Sequence, residues 1–485
     1  MKLNDTARYL SLIRDAFEKS IVPDLQSTSA KGAAGLISNV LNDLLRREGE
    51  APALLTKANI DGAAIAAEMH TLLQSSSAVA LTSSDSYNGA SAAFTALCAD
   101  ISAMGCVLAK SEKGRAMMRR AAEWEGKVHL AVTRAPVPAS ANSGEAEVEP
   151  LPKAALEAFL QSVHPAGKNL RVTTLDRMPG GFGKQTYLTD IETGAGQHES
   201  LVIRKCDKSP LIDHPIFDME REFVLLNTVC ATGYPAPQPL WFGRKVAGID
   251  ADFMVMKKMP GRVMGNFFDG PDGGKLKDEQ VRELAELLAR LHLMKLDAFS
   301  DLIQRFDDPA LLTDNIEQYT RRSLAGWRSY IDQRGCLPSP LFTYLMQWLD
   351  DNVPKDAHRP VQLHGDFSIH NLLAENGRVT AVLDWEGAMF GAPELDLAFV
   401  QSTLSKFIDW DLFVQYYIEC GGRPPAPESM KYYSAFYDMR VLLSGALASR
   451  NVQVGTTSDI RLAMFELGLH PHFMEKVLAG TAEKS

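Results

Sequence analysis

The sequence predicts an α+β protein in which an all-helical region precedes a mixed domain of sheet and helices. Apolar residues recur at helical spacing through residues 1–134, where strand-like alternation is scarce. Strand-like runs follow between residues 170 and 256, and helices dominate again from about residue 278. A chain of 485 residues is too long for one ordinary hydrophobic core, so the change of pattern predicts separate domains.

Residues 1–134 are expected to form a small helical bundle. Leu10, Ile13 and Phe17 illustrate the repeat at three- and four-residue spacing. Residues 135–152 are rich in proline, serine, alanine and glutamate and offer little to bury, which is typical of an interdomain linker. The helical region carries no catalytic constellation. Binding of a partner protein, self-association, substrate presentation and simple stabilisation are therefore alternative roles for it.

A small sheet with one inserted helix is expected after a short helix at 154–163. The helix within the sheet is predicted at 217–228. The strands are predicted at four runs rich in β-branched and apolar residues, namely 170–175, 186–189, 201–204 and 253–256. A later hairpin is predicted at 372–373 and 379–383, because Asn376-Gly377 is a strong turn signal.

Composition and charge argue against several classes of function. Lys and Arg total 50 against 60 Asp and Glu, and the net charge of −10 disfavours a nucleic-acid or anionic-membrane surface. The six cysteines include no CxxC pair, which disfavours a zinc site or disulfide framework and fits a reducing cytosol. The N-terminus lacks a signal-peptide core, and no stretch approaches the ~20 apolar residues that span a bilayer. A cytoplasmic protein is expected.

The segment from His364 to Asp384 carries the candidate chemistry. It reads HGDFSIHNLLAENGRVTAVLD, so Asp366 and Asn371 are five residues apart and Asp384 directly follows an apolar strand. Phosphoryl transfer needs a carboxylate that accepts the proton of an attacking hydroxyl, and hard oxygen ligands that hold Mg²⁺ on the phosphates. Asp366 fits the first role as the catalytic residue. Asn371 and Asp384 fit the second role as metal ligands.

The pattern HGDxxxxN followed by LDWE resembles the aminoglycoside phosphotransferase and choline-kinase-like enzymes, which share the protein-kinase fold. The helix end Leu288–His292 and the hinge-like run Phe253–Lys257 extend the resemblance. The similarity is closest to the kinase domain associated with acyl-CoA dehydrogenases. It implies a two-lobed domain, with a small lobe at 153–262 and a helical large lobe with the catalytic loop at 263–485. It also implies an ATP- and Mg²⁺-dependent kinase that phosphorylates a hydroxyl of a small molecule.

The resemblance places the phosphate-covering loop in the Gly-rich turn between the first two predicted strands. Gly181 and Gly183 lie in this turn, where glycine lets backbone amides approach a phosphate closely. The family often has Ser-Asn where this chain has Gly183-Lys184. Lys184 is therefore expected either to add a charge contact to the nucleotide or to point into water.

Arg204 occupies the strand position where many kinases carry a phosphate-pairing lysine, and Lys205 follows it. Because alternate side chains of a strand point to opposite faces, only one of the two can face the nucleotide, and Arg204 is preferred. Glu222 is its expected partner on the following helix. Glu220 is the alternative, since the two glutamates point ~200° apart on a helix. Met256, in the hinge-like run, is expected to line the adenine site.

Three further residues of the motif have structural interpretations. His364 is expected to brace the catalytic loop rather than to transfer a proton. Asp396 resembles a family position that caps the same loop. His370 either touches the substrate or is an exposed loop residue.

The acceptor is not specified by the motif, and two regions of the large lobe are expected to supply its specificity. Their aromatic and arginine side chains favour an anionic or acyl substrate over a polycationic aminoglycoside; they are Tyr319, Arg321, Arg322, Trp327, Arg328 and Tyr330, and then Tyr416, Tyr417, Tyr432, Tyr433, Tyr437 and Arg440. A hydroxylated acyl thioester or related catabolic alcohol is therefore expected, with an aminoglycoside or other antibiotic as the alternative.

Two rival classes of function are considered. A pseudokinase that acts as a protein-binding module is disfavoured by the intact Asp366, Asn371 and Asp384. A protein kinase is disfavoured because the sequence has no DFG and no activation segment between Asp384 and Pro393.

Overall fold

The structure, a computed structural model, describes residues 6–482 except 27, 76–85, 134–149, 179–183, 195, 208–213, 267–269, 272–273, 335–337, 457–459 and 464. Its helices are α1 (Thr6–Ala16), α2 (Thr28–Glu48), α3 (Ala51–Leu73), α4 (Tyr87–Leu108), α5 (Glu112–Thr133), α6 (Lys153–Val163), α7 (Met219–Ala231), α8 (Asp278–His292), α9 (Ser300–Phe306), α10 (Ile316–Arg334), α11 (Pro340–Asp351), α12 (Pro393–Leu404), α13 (Trp410–Glu419), α14 (Pro427–Gln453) and α15 (His470–Gly480). Its strands are β1 (Arg171–Arg177), β2 (Lys184–Glu192), β3 (His198–Cys206), β4 (Pro239–Gly243), β5 (Phe253–Lys257), β6 (Arg262–Val263), β7 (Gly265–Asn266), β8 (Gly270–Pro271), β9 (Val361–Leu363), β10 (Leu372–Glu375), β11 (Arg378–Val382) and β12 (Met389–Gly391).

The chain divides into two compact units, each built from more than one stretch of sequence. The helical unit comprises Met1–Ala146, Leu324–Val353 and Ala435–Ser485, and the mixed unit comprises Glu147–Ser323 and Pro354–Ser434. The mixed α+β architecture with a helical N-terminal region is therefore confirmed. The linker predicted at 135–152 lies almost entirely outside the described residues.

The helical unit takes in two stretches that the sequence analysis assigned to the large lobe. Helices α11 and α15 both pack on α5. At Gly126 of α5 an added β-carbon would lie only 2.9 Å from Leu478 Cδ1, so the missing side chain makes room for α15. These contacts join residues that are far apart in sequence, and helical periodicity alone does not reveal them.

Helix α4 is the one helix among the described residues that could cross a membrane by its length and composition. The expectation that no stretch approaches such a length is wrong for this helix. Half of its most apolar stretch is buried, with Leu97 and Ile101 almost inaccessible to solvent. A helix in the core of a protein can have the same length and composition.

The small sheet of the mixed unit has five antiparallel strands in the order β1-β2-β3-β5-β4. Leu156 and Leu160 of α6 pack in the same core as Ile191 and Ile203 of the sheet. The four predicted strands are confirmed, and β4 is an additional one. Because β4 begins at Pro239 and lies at the sheet edge, its sequence lacks the usual strand signal.

The remainder of the mixed unit is largely helical. The predicted hairpin is confirmed as β10 and β11, and positive φ angles at Asn376 (53°) and Gly377 (79°) form its turn. Strand β10 also pairs with β6, and β9 pairs with β12. These short strands carry the loops that hold the HGD and DWE motifs.

Glu125 of α5 should make the stability of the helical unit depend on pH. Its carboxylate is buried and accepts hydrogen bonds from Leu341 N (2.7 Å) and Ser339 Oγ (2.9 Å). Burial raises the pKa of Glu125 to about 7, although the two hydrogen bonds oppose this shift. The folded protein therefore holds this proton more tightly than the unfolded chain, and stability is lost as pH rises between the two pKa values.

We predict that Glu125→Gln makes the melting temperature fall less steeply than that of the wild type between about pH 5 and 7.5. Thermal denaturation across this range checks the prediction. Glu123→Gln is the matched control, because Glu123 on the same helix is about 40% exposed and pairs with Arg119. Parallel profiles for Glu125→Gln and the wild type would contradict the assignment.

Candidate active site

Glu222 lies at the centre of a charged cluster in the mixed unit. Helix α7 begins two residues later than predicted, because Asp218 caps it by accepting hydrogen bonds from Glu220 N and Arg221 N. Glu222 therefore lies in the first turn, and its side chain is 2% exposed. Its Oε1 accepts from Arg204 Nη1 at 2.9 Å, and its Oε2 accepts from Lys184 Nζ at 2.5 Å.

The structure resolves the two alternatives that strand and helix geometry left open. Arg204 reaches Glu222, whereas Lys205 points away and pairs with Asp250 at 3.0 Å. Glu220 points elsewhere and pairs with two other arginines, Arg244 at 2.8 Å and Arg305 at 2.5 Å. The predicted pairing of Arg204 with Glu222 is therefore present in the structure.

Arg204 also connects α7 with the loop that follows β11. Its Nη2 donates to Asp384 Oδ1 at 3.0 Å and to Glu386 Oε2 at 3.1 Å. Its Nε is buried without a hydrogen-bond partner in the structure. A buried donor of this kind is suited to a further acceptor, such as a phosphate oxygen or a water molecule.

Lys184 does not point into water. It is the first residue of β2, its side chain is 4% exposed, and it lies 3.5 Å from Glu386 as well as beside Glu222. The sequence analysis left open whether this lysine turns inward. The choice depends on where α7 places Glu222, which the local sequence does not show.

Glu386 is a member of the site that the sequence analysis missed. It lies in the short helical turn Trp385–Gly387 and contacts both Arg204 and Lys184. The available signal was its place in the DWE motif, two residues after Asp384. Burial raises the pKa of Glu386, and the negative charge of Asp384 raises it further.

Asp384 has an unusual backbone conformation and a strongly perturbed side chain. Its φ of 61° lies in the left-handed region, which aspartate and asparagine tolerate better than most residues. Burial opposes ionisation, but the positive charges of Arg204 and Lys184 outweigh it and lower the pKa of Asp384. The side chain is still 37% exposed, so it remains open to a ligand.

Asp366 and Asn371 contact each other directly. Asn371 Nδ2 donates to the Asp366 backbone oxygen at 3.0 Å and to its Oδ2 at 2.8 Å. His370 Nε2 lies 3.6 Å from the same Oδ2, so His370 is beside the carboxylate rather than in bulk solvent. Asp366 is 34% exposed. The Asn371 backbone oxygen accepts from Leu383 N at 2.7 Å, which places Asp384 next to this loop.

Asp396 holds the backbone of the catalytic loop in place, as the sequence analysis expected. Its carboxylate is fully buried and accepts from His364 N and Gly365 N, both at 2.8 Å. His292 Nε2 lies 3.2 Å from the same carboxylate. His364 is also structural, because its Nε2 contacts the Leu383 backbone oxygen at 2.8 Å.

Of the nucleotide-side residues, Met256 is buried in β5, between the β3 and β4 strands. Gly181 and Gly183 lie outside the described residues.

The aromatic side chains proposed to line an acceptor pocket are mostly buried in the protein interior, namely Trp327, Tyr330, Tyr416, Tyr417, Tyr432 and Tyr433. Three of the four proposed arginines are paired with carboxylates: Arg321 with Glu317, Arg322 with Asp308 and Asp314, and Arg328 with Asp350. The fourth, Arg440, lies over the ring of Trp327, 6.0 Å from its centroid. These side chains therefore do not support a preference for an anionic or acyl acceptor.

The donor atoms at this site fit a hard divalent cation. No cluster of three or more His, Cys, Asp and Glu suited to a metal occurs among the described residues. Asn371 and Asp384 nevertheless provide the amide and carboxylate oxygens that Mg²⁺ accepts when the rest of its shell is water and phosphate. The Asn371 nitrogen faces Asp366, which leaves its Oδ1 as the acceptor atom of the amide.

Gly365 sets how closely the two loops of the site approach each other. Its φ is 80°, and an added β-carbon would lie 2.3 Å from the backbone oxygen of Gly387. Gly377, in the β10–β11 turn, has a similar φ of 79° but open space around its α-carbon. Both positions therefore require a left-handed backbone, but a side chain would clash with neighbouring atoms only at Gly365.

We predict that Gly365→Ala lowers the free energy of unfolding more than Gly377→Ala does. The strain of a left-handed alanine costs about 1–2 kcal/mol at either position, and only position 365 adds a clash with backbone atoms. Chemical denaturation of the two variants and the wild type measures the difference. Equal losses would show that the loops can separate freely, contrary to the structure.

Comparison with known proteins shows which family the sequence matches. The model of the phosphotransferase enzyme family matches residues 174–433, which is more than half of the chain. Acyl-CoA dehydrogenase family member 11 of Gallus gallus is 30% identical over 217 residues, or 44% of this chain and 26% of that protein. The chain thus spans about a quarter of the length of this relative. Hygromycin-B 4-O-kinase of Escherichia coli is 44% identical over 54 residues, or 11% of this chain and 15% of that enzyme.

A solved structure shows the fold. A protein of Ralstonia eutropha JMP134, provisionally named an aminoglycoside phosphotransferase, aligns with 68% of this chain and 98% of its own at a TM-score of 0.50 and 19% identity. The predicted kinase-like fold is therefore confirmed. With its buried Glu222 pairing, its HGD and DWE loops and the extent of the family match, this chain belongs to the phosphotransferase enzyme family.

Proposed function

We propose that this protein is an ATP- and Mg²⁺-dependent kinase that transfers the γ-phosphoryl group to a hydroxyl of a small molecule. One observation carries the proposal: the loop holding Asp366 and Asn371 and the loop holding Asp384 meet at hydrogen-bond distance. Arg204 then links Asp384 to the buried Glu222. A base, two oxygen ligands and a phosphate-pairing cation are the groups that phosphoryl transfer requires.

Asp366 is proposed to accept the proton of the acceptor hydroxyl. The Asn371 amide holds one carboxylate oxygen, so the orientation of the group is fixed before the substrate arrives. As the acceptor oxygen bonds to the γ-phosphorus, the bond from that phosphorus to the β–γ bridging oxygen breaks, and ADP leaves with the electron pair. The proton remains on Asp366. Most of the rate is expected from positioning and charge stabilisation.

Asn371 Oδ1 and the Asp384 carboxylate are the groups that would hold the metal. Mg²⁺, when bound with the nucleotide, neutralises part of the phosphate charge. Arg204, oriented by Glu222, is proposed to pair with the phosphates, and its unpartnered Nε is available for this contact. Backbone groups around Met256 are proposed to face the adenine ring.

A hydroxylated acyl thioester or a related catabolic alcohol is our proposed acceptor. The similarity to acyl-CoA dehydrogenase family member 11 supports this class, since the name of that relative connects it with acyl-CoA substrates. An antibiotic O-phosphotransferase is the second candidate, favoured by the similarity to hygromycin-B 4-O-kinase. A screen of both compound classes, with phosphorylated product detected by mass spectrometry, separates them. A pseudokinase would bind nucleotide in this screen without forming product from any acceptor.

We predict that Asp366→Asn lowers kcat by about 10²–10⁴-fold and leaves nucleotide affinity nearly unchanged, because asparagine cannot accept the proton. ATP consumption with an acceptor identified in the screen gives kcat, and calorimetry gives the nucleotide Kd. Glu375→Gln is the matched control, since this exposed carboxylate lies on the neighbouring strand. Unchanged turnover in Asp366→Asn would refute the assigned role.

We predict that Asp384→Asn removes most of the gain in nucleotide affinity that Mg²⁺ provides. The nucleotide Kd measured with Mg²⁺ is expected to rise by at least about tenfold, equivalent to about 1.4 kcal/mol. Asparagine suits the left-handed backbone at this position, so the change tests the charge rather than the conformation. The nucleotide Kd is measured with Mg²⁺ and with EDTA. If Mg²⁺ improves the nucleotide Kd of the variant as much as it improves that of the wild type, Asp384 is not a metal ligand.

A further inference from the structure

Two cationic side chains reach the same glutamate from neighbouring strands. Thr186 of β2 pairs with Arg204 of β3, and Lys184 pairs with Cys206. Because every second side chain of a strand shares a face, Lys184 and Arg204 are diagonal neighbours on one face of the sheet. Both side chains turn toward Glu222 of α7.

The two cations are kept together by shared carboxylates. Glu222 offers one oxygen to each of them, Oε2 to Lys184 and Oε1 to Arg204. Glu386 Oε2 also lies near both, at 3.5 Å from Lys184 and 3.1 Å from Arg204. With Asp384 included, three carboxylates face two cations when all are ionised, so the cluster carries one net negative charge.

The terminal nitrogens of Arg204 are more fully occupied by these contacts than the ammonium of Lys184 is. The two terminal nitrogens of Arg204 donate to three carboxylates. The Lys184 ammonium has three donors and one close hydrogen bond, to Glu222. Burial alone would lower the pKa of Lys184, but Glu222 and Glu386 raise it above its ordinary value, so the side chain stays charged.

We propose that Lys184 is a second phosphate-binding residue of the nucleotide site, acting from β2 beside Arg204 on β3. The inference rests on the proposed function, because it assumes a nucleotide whose phosphates approach Asp384 and Glu386. An ammonium binds phosphate as a compact point charge, without the fixed geometry that a guanidinium needs. Without Lys184 the same cluster would carry two net negative charges and would repel a polyphosphate more strongly.

The competing interpretation is that Lys184 only holds α7 against the sheet. The two roles differ in how binding depends on the number of phosphates. A cation that touches the β- or γ-phosphate contributes to di- and triphosphate binding and little to monophosphate binding. A purely structural residue would affect the three nucleotides alike, because each needs the same positions of sheet and helix.

The test compares Lys184→Gln with Lys205→Gln. Lys205 is also a buried, ion-paired lysine, but it lies on the other face of the same sheet, beside Asp250. The Kd values of AMP, ADP and ATP are measured by calorimetry with Mg²⁺ present. For Lys184→Gln we expect ADP and ATP to bind at least about tenfold more weakly and AMP within about threefold of the wild type. For Lys205→Gln we expect equal, small changes for all three.

Equal weakening of all three nucleotides by Lys184→Gln, or no change in any, would overturn the inference. If that variant does not fold, Lys184→Arg keeps the positive charge beside Glu222 but displaces it. The ratio of ATP to AMP affinity is then expected to fall by about threefold or more, and an unchanged ratio would overturn the inference. Failure of the proposed function is distinguishable, because the wild type itself would then show no Mg²⁺-dependent binding of ATP.

Discussion

The arrangement of the site depends on one buried carboxylate. Asp396 lies at the start of α12, has no solvent exposure, and accepts hydrogen bonds from two consecutive backbone amides of the HGD segment. His292, at the end of α8, contacts the same group. Burial opposes ionisation of Asp396, but its hydrogen bond with His292 and the charges of His292 and His364 lower its pKa. Asp396 thereby joins α8 and α12, which are distant in sequence, to the loop segment that immediately precedes Asp366.

The second constraint is the balance of charge between sheet, helix and metal loop. Lys184 and Arg204 lie among Glu222, Asp384 and Glu386 and offset the mutual repulsion of these carboxylates. The opposite pKa shifts of Asp384 and Glu386 reflect this arrangement, since the two carboxylates compete for the same cations. A divalent cation at Asp384 would relieve this competition, so the electrostatics of the cluster suit the metal that the proposed reaction needs.

Local sequence predicted those parts of the site that depend on local geometry. The five-residue spacing of Asp366 and Asn371 is short enough for the two side chains to meet within one loop. Strand alternation predicted that Arg204 and Lys205 point to opposite faces of β3, and the resemblance to kinases favoured Arg204. Glu222 was preferred over Glu220 without a periodicity argument, and the structure shows that the two point in different directions.

Features that depend on distant contacts could not be predicted in the same way. Lys184 turns inward because α7 places Glu222 against it, and the two residues are 38 positions apart. The grouping of α11 and α15 with the N-terminal helices requires packing on α5 across more than 200 residues. The aromatic side chains of the large-lobe segments suggested an acceptor pocket, although hydrophobic burial explains most of them.

The stretch between Asp384 and α12 is short, and the structure describes all of residues 384–393. It consists of one helical turn and β12, which pairs with β9. Many protein kinases have a long loop at this place, and added phosphate switches them on by ordering it. This stretch contains no loop of that size for a signalling cascade to reorder. Residues 384–393 therefore offer no counterpart to a switch that works by ordering such a loop.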